Sequence, residues 1–337
     1  MAHDHLTPAK YLRVIALLTL LLGFSAALGV RVGAYDLDFP GILRFLFLSP
    51  DDAAAADPAY TVLHDVRLPR MLLALLVGGG LSLAGAIFQV LLRNVLADPY
   101  ILGVSGGASV GALIAIATGI SGMALFAQPL AAFVGAAIVV ITVYGLGARG
   151  RVQDNTLLLS GVMIGAFLSA IILALVSTLD RPVRSALYWL IGYLGNATMV
   201  EVLILLPIVL PLGVLALFLA GRMNVLALGS AAAGHLGVPT RGTTLLLYAT
   251  ASMITAAVVS FSGAIGFVGL IIPHVCRRLF GPDHRLLLPA SFLTGASFLI
   301  ISDIVARSLL APAELPVGAV TAALGAPVFI YILRRKS

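Results

Sequence analysis

The chain has 337 residues, of which 61% are hydrophobic and 10% are charged, and its formal net charge is +6. Soluble domains contain about 45–50% apolar and about 25% charged residues, so this composition excludes an ordinary water-soluble protein. It indicates a polytopic helical membrane protein, because a helix that spans a bilayer needs about 20 largely apolar residues. The single cysteine, Cys276, allows no internal disulfide.

Ten membrane-spanning helices are predicted, and the predicted fold class is therefore all-α. An even number of spans places both termini on the same face of the membrane. The predicted spans, in chain order, are residues 12–30, 69–91, 99–118, 123–147, 156–179, 199–220, 243–262, 264–280, 286–309 and 316–333.

The first span and the loop after it allow more than one interpretation. Lys10 and Arg13 precede an apolar run that ends in "SAALGV", which is also the pattern of a cleaved signal peptide. Cleavage would leave nine spans and would place the two termini on opposite faces. The loop 31–68 contains "FPGILRFLFL" (39–48), which is too short to span and is predicted to form an interfacial or pore-rim helix.

Two of the predicted spans contain residues that break helices. The segment "GVSGGASVGA" (103–112) could form a broken helix, and Pro273 and His274 lie in the middle of 264–280. Neighbouring helices or water must then satisfy the freed backbone groups. His274 could belong to a proton relay or could be hydrogen-bonded to a carbonyl at the helix break. Small residues allow helices to approach closely, so "GGGLSLAG" (78–85) is predicted to be a packing face.

The distribution of positive charge predicts the orientation of the chain. If both termini are cytoplasmic, 13 of the 20 lysines and arginines lie on the cytoplasmic side. This arrangement satisfies the positive-inside rule. It also explains the net charge without a nucleic-acid partner, and we predict none.

Several kinds of chemistry are absent from the sequence. A Walker A loop needs a Gly-Lys-Ser/Thr step, but neither Lys10 nor Lys336, the only lysines, follows a glycine. The motifs of metalloproteases and serine hydrolases are also missing. His3 and His5 could hold a metal, although a solvated terminus is the simpler interpretation. We therefore predict that the chain is not an enzyme and that it has no metal site.

One pair of charges lies inside a predicted span. Asp303 is the only acidic residue deep in a span, and Arg307 follows it one helical turn later. The two could form a local ion pair that neutralises both. Alternatively, Arg307 could present a positive charge near the outer mouth of the protein.

Four stretches of the sequence carry a resemblance to a known family. They are, in chain order, "RLPRMLLALLVGGGLSLAGAIFQVLLRNVLADPYILGVSGGASVGA" (67–112), "MNVLALGSAAAGHLGVP" (223–239), "GAIGFVGLIIPHVCRRLFGPDHRLLLPASFLTGASFLIISDIVAR" (263–307) and "ELPVGAVTAALGAPVFI" (314–330). Together they resemble the membrane permease subunits of bacterial ABC importers for iron–siderophores, haem and vitamin B12. The likeness covers nearly the whole chain, and "YWLIG" (188–192) is a further match. Within the four stretches, "MNVLALG" and "LGAPVFI" look like the vitamin B12 permeases of this family.

The resemblance implies a single transmembrane permease domain (1–337) with ten helices, similar to the vitamin B12 permeases. It implies an importer in which two copies of the permease form the pore and two cytoplasmic ATPases drive it. An extracytoplasmic binding protein delivers the metal chelate. ATP and Mg are then used by the partner ATPase, and no cofactor is expected on this chain. The expected location is the bacterial cytoplasmic (inner) membrane, among its lipids, with both termini cytoplasmic.

The resemblance assigns residues 223–243 to a cytoplasmic coupling loop that docks into the ATPase. Without it, an interfacial linker is the alternative. Ser230 is predicted to cap a short helix there and Gly237 to end it, while Leu226, Leu228 and Leu236 are predicted to offer an apolar docking surface. The family often has an acidic residue where this chain has Ser230. The predicted coupling residues are Leu228, Gly229, Ser230, Ala231, Ala232, His235, Leu236 and Gly237.

Three arginines are predicted from the resemblance to dock the binding protein, namely Arg67, Arg70 and Arg307. Guanidinium groups can hold carboxylates of a partner bidentately, and exposed opposite charges speed encounter. For Arg67 and Arg70 the alternative is anchoring to lipid headgroups.

The segment "RNVLADP" (93–99) matches the family's loop at the inner mouth of the pore. Asn94 and Leu96 match positions that narrow the cytoplasmic gate. Val95 stands where the family has proline, so the rigidity of this loop is not assured by its sequence.

The alternative function is an ion-coupled secondary transporter. Such a protein needs intramembrane acids or ion sites at broken helices, and Asp303 is a single candidate. The chelate itself stays open between iron–siderophore, haem and vitamin B12, because a pore for bulky chelates makes few specific contacts.

Overall fold

The computed structural model describes residues 6–33, 35, 42, 57–123, 126–147, 154–179, 183–311 and 313–334. These residues form helices joined by turns, with no strand among them, so the prediction of an all-α fold is confirmed. The helices are α1 (Pro8–Arg31), α2 (Pro58–Leu91), α3 (Val104–Ala117), α4 (Ala127–Gly147), α5 (Asp154–Ser177), α6 (Val183–Ile191), α7 (Met199–Leu226), α8 (Ser230–His235), α9 (Thr240–Ser262), α10 (Val268–Phe280), α11 (His284–Ser308) and α12 (Val317–Arg334).

Each of the ten predicted spans coincides with one of these helices. Seven helices in the described part of the chain are long and apolar enough to cross a membrane, and α3, α10 and α12 are shorter. The short helices α6 and α8 lie between spans. Of the predicted interfacial helix at 39–48 the structure describes Ile42 alone, and His3 and His5 lie outside the described residues.

Backbone conformation explains why two of the predicted spans are shorter than expected. The third span is broken, as predicted: a 3₁₀ turn at Pro99–Leu102 ends at Gly103, whose φ of +75° is left-handed, before α3 begins. The eighth span was predicted to start at residue 264, which is wrong. Gly263 ends α9 with a φ of +68°, and Phe267 has a φ of +71°, so regular helix starts only at Val268.

Helix α2 is the centre of the bundle. In its most apolar window 89% of the residues are buried inside the chain, whereas the figure for α5 is 11%. Helices α1, α7, α9, α10 and α11 all pack against α2. Apolar residues that the chain itself does not cover are therefore concentrated on the outer helices, where lipid or a partner subunit can cover them.

The predicted packing face at 78–85 is confirmed. Helix α2 meets α11 at Gly78, where a Cβ atom would overlap with the carbonyl oxygen of Gly295. It meets α10 at Gly85, where a Cβ atom would overlap with the carbonyl oxygen of Gly269. Helices in membranes gain contact in this way, because small residues let their backbones approach closely.

Helix α2 runs between two ends of the bundle that carry different polar groups. At the Arg70 end, the start of α2 lies beside the ends of α1 and α11. At the Arg93 end, the residues that follow α2 lie beside α8 and the start of α11.

Candidate functional site

The short helix α8 is held rigidly between α7 and α9 by glycines at its two ends. Gly229 precedes it with a φ of +114°, a conformation that residues with a side chain rarely adopt. Gly237 follows it with a φ of +79°. Two bonds close this end, from the N–H of Val238 to Ala233 O (3.0 Å) and from the N–H of Gly237 to Gly234 O (3.1 Å). This is a Schellman motif, and the prediction that Gly237 ends the helix is confirmed.

The faces of α8 differ in exposure. Leu228 and Leu236 are 69% and 63% exposed, and Ala231 and His235 are exposed beside them. Ala233 is completely buried against the chain's own core. The apolar exposed face is therefore available to a partner.

The expectation for Leu226 is wrong. Leu226 is 6% exposed and belongs to the hydrophobic core. It lies in the last turn of α7, which turns it inward before the chain reverses at Gly229, so it offers no docking surface.

The expectation that Ser230 caps α8 is also wrong. Ser230 is the first residue of the helix, and Gly229 takes the cap position without a side-chain bond. The hydroxyl of Ser230 instead accepts a hydrogen bond of 2.9 Å from Nη2 of Arg93, 137 residues earlier in the chain. The position where the family often has an acid therefore receives a positive side chain from a different segment.

Arg93 follows α2 in a conformation unusual for a residue with a side chain. Its φ is +44°. The N–H of Arg93 donates to Val90 O (3.1 Å) and that of Asn94 to Gln89 O (3.1 Å), which closes the end of α2 as a second Schellman motif. Left-handed backbone is expected from glycine or asparagine, so an arginine at this position does not signal the turn.

The α2–α3 loop (92–98) contains the predicted gate residues. Asn94 Oδ1 accepts a hydrogen bond of 2.9 Å from the N–H of Leu96, and the side chain of Leu96 is 39% exposed. This local turn orders the loop although Val95 replaces the family proline. The loop lies at the Arg93 end of the bundle, together with α8.

Asp98 ends this loop and is buried. Its Oδ1 accepts from the N–H of Tyr100 at 2.8 Å and so caps the Pro99–Leu102 turn. Burial raises the pKa of Asp98 to about 6, although the bond from Tyr100 opposes the shift. The hydroxyl of Tyr100 donates to Ile265 O and accepts from the N–H of the same residue, both at 2.8 Å. The loop is thereby fastened to the turn between α9 and α10.

A cavity of about 480 Å³ lies among the ends of α2, α7 and α10 and the start of α11. On one wall, Asn224 accepts from the N–H of His284 at 2.9 Å and donates to Asp283 at 2.8 Å. On another, Arg277 donates to Gln89 at 2.8 Å. These bonds fix the ends of α2, α7 and α10 and the start of α11, and Leu228, just before α8, also lines the cavity.

At the other end of the bundle, a buried arginine cluster joins α1, α2, α11 and the residues before α12. Nε of Arg70 lies 2.9 and 3.0 Å from the two carboxylate oxygens of Asp303. Nη1 of Arg70 lies 2.9 and 3.1 Å from the oxygens of Glu314. One guanidinium therefore satisfies two carboxylates. The cluster consists of Arg67, Arg70, Asp303, Arg307 and Glu314.

The other two arginines of the cluster bind backbone carbonyls of α1. Arg67 donates to Val30 O (2.7 Å) and Arg31 O (2.8 Å), and also to the carbonyl of Tyr35. Arg307 donates to the carbonyl of Gly29, and its Nε lies 3.8 Å from Asp303. Of the two interpretations of Asp303 and Arg307, the structure therefore supports the local ion pair directly.

The burial of these arginines departs from the sequence-based expectation. Arg67 and Arg70 are 3% and 4% exposed, so anchoring to lipid headgroups is wrong for both. Arg307 is also largely covered. All three guanidinium groups are engaged inside the chain, and a role for them in docking a binding protein stays a prediction. Sequence alone could not reveal this, because their acceptors lie on distant segments.

Beside the cluster lies a second cavity, of about 750 Å³. Its walls include the aromatic residues Tyr188, Trp189 and Tyr193. Tyr193 donates to Glu314 at 3.2 Å, and burial together with the neighbouring Glu314 raises the pKa of this tyrosine. The charge of Glu314 and the hydroxyl of Tyr193 were missed in the sequence, although "ELPVGAV" was noted as a motif. Polar and aromatic side chains therefore line this cavity together.

Two further expectations concern metals and histidine. The described residues contain no group of three or more histidine, cysteine or acidic side chains that could hold a metal ion. His274 is 6% exposed and its ring lies edge-on to Phe329, with centroids 6.4 Å apart.

The chain is similar to known transport proteins over nearly its whole length. The FecCD transport family matches residues 18–335. The cobalamin import system permease protein BtuC of Halobacterium salinarum is 45% identical over 308 residues, which are 91% of this chain and 82% of that protein. The hemin transport system permease protein HmuU of Yersinia pestis is 37% identical over 322 residues, 94% of this chain and 96% of that protein.

A solved structure is also similar to this chain over nearly its whole length. It is described as a metal-chelate type ABC transporter in an inward-facing conformation, and it superposes on this chain with a TM-score of 0.84. The sequences are 32% identical, and the match covers 96% of this chain and 99% of the other.

Proposed function

The chain belongs to the FecCD transport family, as its motifs predict, and we propose that it is the membrane-spanning subunit of an ATP-driven importer for a metal chelate. It is a multi-pass transport permease rather than an enzyme. In the proposed complex it forms half of a pore, and the energy for transport comes from ATP hydrolysis on a separate ATPase subunit.

The observation that carries this proposal is the construction of α8. The helix is short and lies between Gly229 and Gly237, which both have a positive φ, and Leu228 and Leu236, just outside its two ends, are exposed. In an ATP-driven importer, a chain without an ATP-binding loop must receive the energy of hydrolysis through a contact with the ATPase. A rigid helix with an uncovered apolar face suits such a contact, because apolar surface buried against a partner stabilises the complex.

The proposed orientation puts the Arg93 end in the cytoplasm. This end carries a concentration of arginines, and positive residues favour the cytoplasmic side of a membrane. Both chain termini are proposed to be cytoplasmic as well. The arginines concerned are Arg93, Arg222, Arg241, Arg277, Arg278 and Arg285.

We propose vitamin B12 as the first substrate to test, with haem and iron–siderophore complexes as alternatives. Support comes from the relatives, one of which is named for cobalamin import and another for hemin transport. The cavity of about 750 Å³ beside Tyr188 and Tyr193 supports a large, flat ligand, since aromatic faces stack on conjugated rings.

The proposed partners are a second copy of the chain, two ABC ATPases that use ATP and Mg, and an extracytoplasmic binding protein. Apolar helices such as α5, which the chain itself barely covers, offer surface for lipid and for the second copy. For Arg67, Arg70 and Arg307 we propose a supporting role: they hold α1, α2 and α11 in register beneath the surface where the binding protein docks.

An ion-coupled secondary transporter is less well supported. That function needs an acidic residue that can bind and release an ion in the membrane. Asp303, the acid expected from the sequence, is bonded to Arg70 on both oxygens and lies near Arg307. A carboxylate held in this way is neutralised by the chain's own charges.

Uptake into proteoliposomes tests the proposal. The chain is reconstituted with the ABC ATPase that copurifies with it, and cyanocobalamin is supplied on the partner binding protein. We expect uptake only when ATP is present on the ATPase side. Uptake driven by a proton or sodium gradient without ATP would replace this proposal with the secondary transporter, and the same assay with haemin tests the alternative substrate.

A further inference from the structure

The contact between Arg93 and Ser230 joins the end of α2 to the start of α8. The packing neighbours of α8 are α7 and α9. Arg93 belongs to the end of α2, and its guanidinium reaches across to the first residue of α8. A Cβ atom at Gly229 would lie 3.8 Å from Nη1 of Arg93, so the guanidinium also lies next to the residue that precedes α8.

Arginine contributes its side chain at this position, and not its backbone conformation. The turn after α2 needs a left-handed residue, and glycine adopts that conformation without steric cost. Arg93 adopts it with a φ of +44° although it carries a side chain. The backbone turn itself therefore does not depend on arginine, whereas the bond to Ser230 does.

Beyond Arg93, the same turn controls the α2–α3 loop. The N–H of Asn94 is bonded to Gln89 O, and the side chain of Asn94 is bonded to the N–H of Leu96. A displacement of Arg93 is therefore passed to Leu96 within three residues. On the other side of Arg93, the buried helix α2 extends to Arg70 at the opposite end of the bundle.

We propose that Arg93 is a positioning residue that carries the movement of α8 to the α2–α3 loop. This inference rests on the proposed function, in which α8 receives the ATPase. When the ATPase shifts α8, the bond from Arg93 to Ser230 pulls on the end of α2 and moves the exposed side chain of Leu96. The mouth of the pore then follows the ATPase through one charge-assisted hydrogen bond.

The test uses a cysteine at Val95 as a reporter of the α2–α3 loop. Val95 is 37% exposed, and the single native cysteine, Cys276, is completely buried. The full complex of permease and ATPase is placed in nanodiscs, and the rate of maleimide labelling is measured without nucleotide and after trapping with ATP and vanadate. We expect the two rates to differ in the complex that carries only the reporter.

Two substitutions remove the bond in different ways. Arg93→Gly keeps the left-handed turn but deletes the guanidinium, and Ser230→Ala deletes only the acceptor. Each should reduce the nucleotide-dependent change in labelling rate by about three- to tenfold, the effect expected for one charge-assisted hydrogen bond near the surface. The double variant should be no worse than either single variant, because both act on the same bond.

Controls separate this inference from the function on which it rests. Arg241→Ala removes a nearby positive charge at the start of α9 and should leave the labelling response intact. ATPase copurification should be unchanged in Arg93→Gly. A normal labelling response in Arg93→Gly with the ATPase bound would overturn the inference alone, as would additive losses in the double variant. If the ATPase fails to bind even the unsubstituted chain, the proposed function is wrong and the inference falls with it.

Discussion

Arg70 and Asp303 are 233 residues apart in the sequence, yet Nε of Arg70 lies 2.9 and 3.0 Å from the two carboxylate oxygens of Asp303. The same arginine binds Glu314 through Nη1. The start of α2, the end of α11 and the segment before α12 are therefore fixed relative to one another by a single side chain. Removing one partner from such a buried pair costs more than the pair contributes, because a charge is left unpaired.

Arg70→Ala should destabilise the chain by about 3–5 kcal/mol, the cost of leaving a buried carboxylate without its partner. Thermal unfolding of the purified protein in detergent measures this. Because Arg67 and Arg70 are both buried, substituting either of them is expected to affect the fold as well as any docking. Arg184→Ala is the matched control, since Arg184 is exposed. Equal melting temperatures for Arg70→Ala and the unsubstituted chain would contradict this account of the cluster.

Gly85→Ala should disrupt the contact between α2 and α10. An added Cβ atom would overlap with the backbone of Gly269, and backbone cannot move aside as a side chain can. Overpacking of this kind costs about 1–3 kcal/mol or more. The control is Gly165→Ala on α5, where nothing lies within 4 Å of the new atom. Detergent-solubilised yield and melting temperature should fall for the first variant only, and similar values for both would refute the close crossing.

Asp98→Asn should stabilise the protein in a pH-dependent manner. Burial raises the pKa of Asp98 from its ordinary value of about 4 to about 6, so the folded chain binds the proton more tightly than the unfolded chain. The native state is therefore favoured at low pH, and this stability is lost as the pH rises through about 6. Asparagine stays neutral and can still accept the bond from Tyr100.

The difference in melting temperature between Asp98→Asn and the unsubstituted chain should be near zero at pH 4 and positive at pH 8. It should develop between about pH 4 and pH 6 and correspond to about 3 kcal/mol at most. Comparing the two proteins at each pH cancels the titration of other groups. A difference that is constant from pH 4 to pH 8 would mean that Asp98 is not shifted by burial.

Ala231→Glu should block docking of the ATPase on α8. Ala231 is exposed, whereas Ala233 is buried in the chain's own core, so a charge at residue 231 disturbs the partner surface and not the fold. ATPase copurification should fall while the melting temperature of the permease stays the same. Met123→Glu, at an exposed position remote from α8, should keep the ATPase. Retention of the ATPase by both variants would remove α8 as the docking surface.

Much of the fold followed from hydrophobicity. Ten of the helices lie where apolar runs predict spans, and the glycines at 78–85 predict the tight crossing of α2. These features depend on local sequence. The start of α10 was misplaced because Phe267 adopts a left-handed conformation, which no local pattern requires of phenylalanine.

The site was harder to predict because its contacts are distant in sequence. Arg70 and Asp303 could not be paired without knowing that α2 and α11 are neighbours, and arginines before a span look like exposed anchors. Serine is a typical residue for a helix cap, but here Gly229 takes the cap position. Ser230 is therefore the first residue inside the helix, where Arg93 reaches it. Such bonds depend on tertiary structure, and local sequence patterns do not reveal them.

The central claim is that α8 faces the cytoplasm and receives the ATPase. A cysteine placed at Leu236, which is 63% exposed, tests it directly with a membrane-impermeant maleimide in right-side-out and inside-out vesicles. We predict labelling only in inside-out vesicles, and protection from labelling when the ATPase is bound. Labelling only from the extracytoplasmic side, or full labelling in the presence of bound ATPase, would contradict the account.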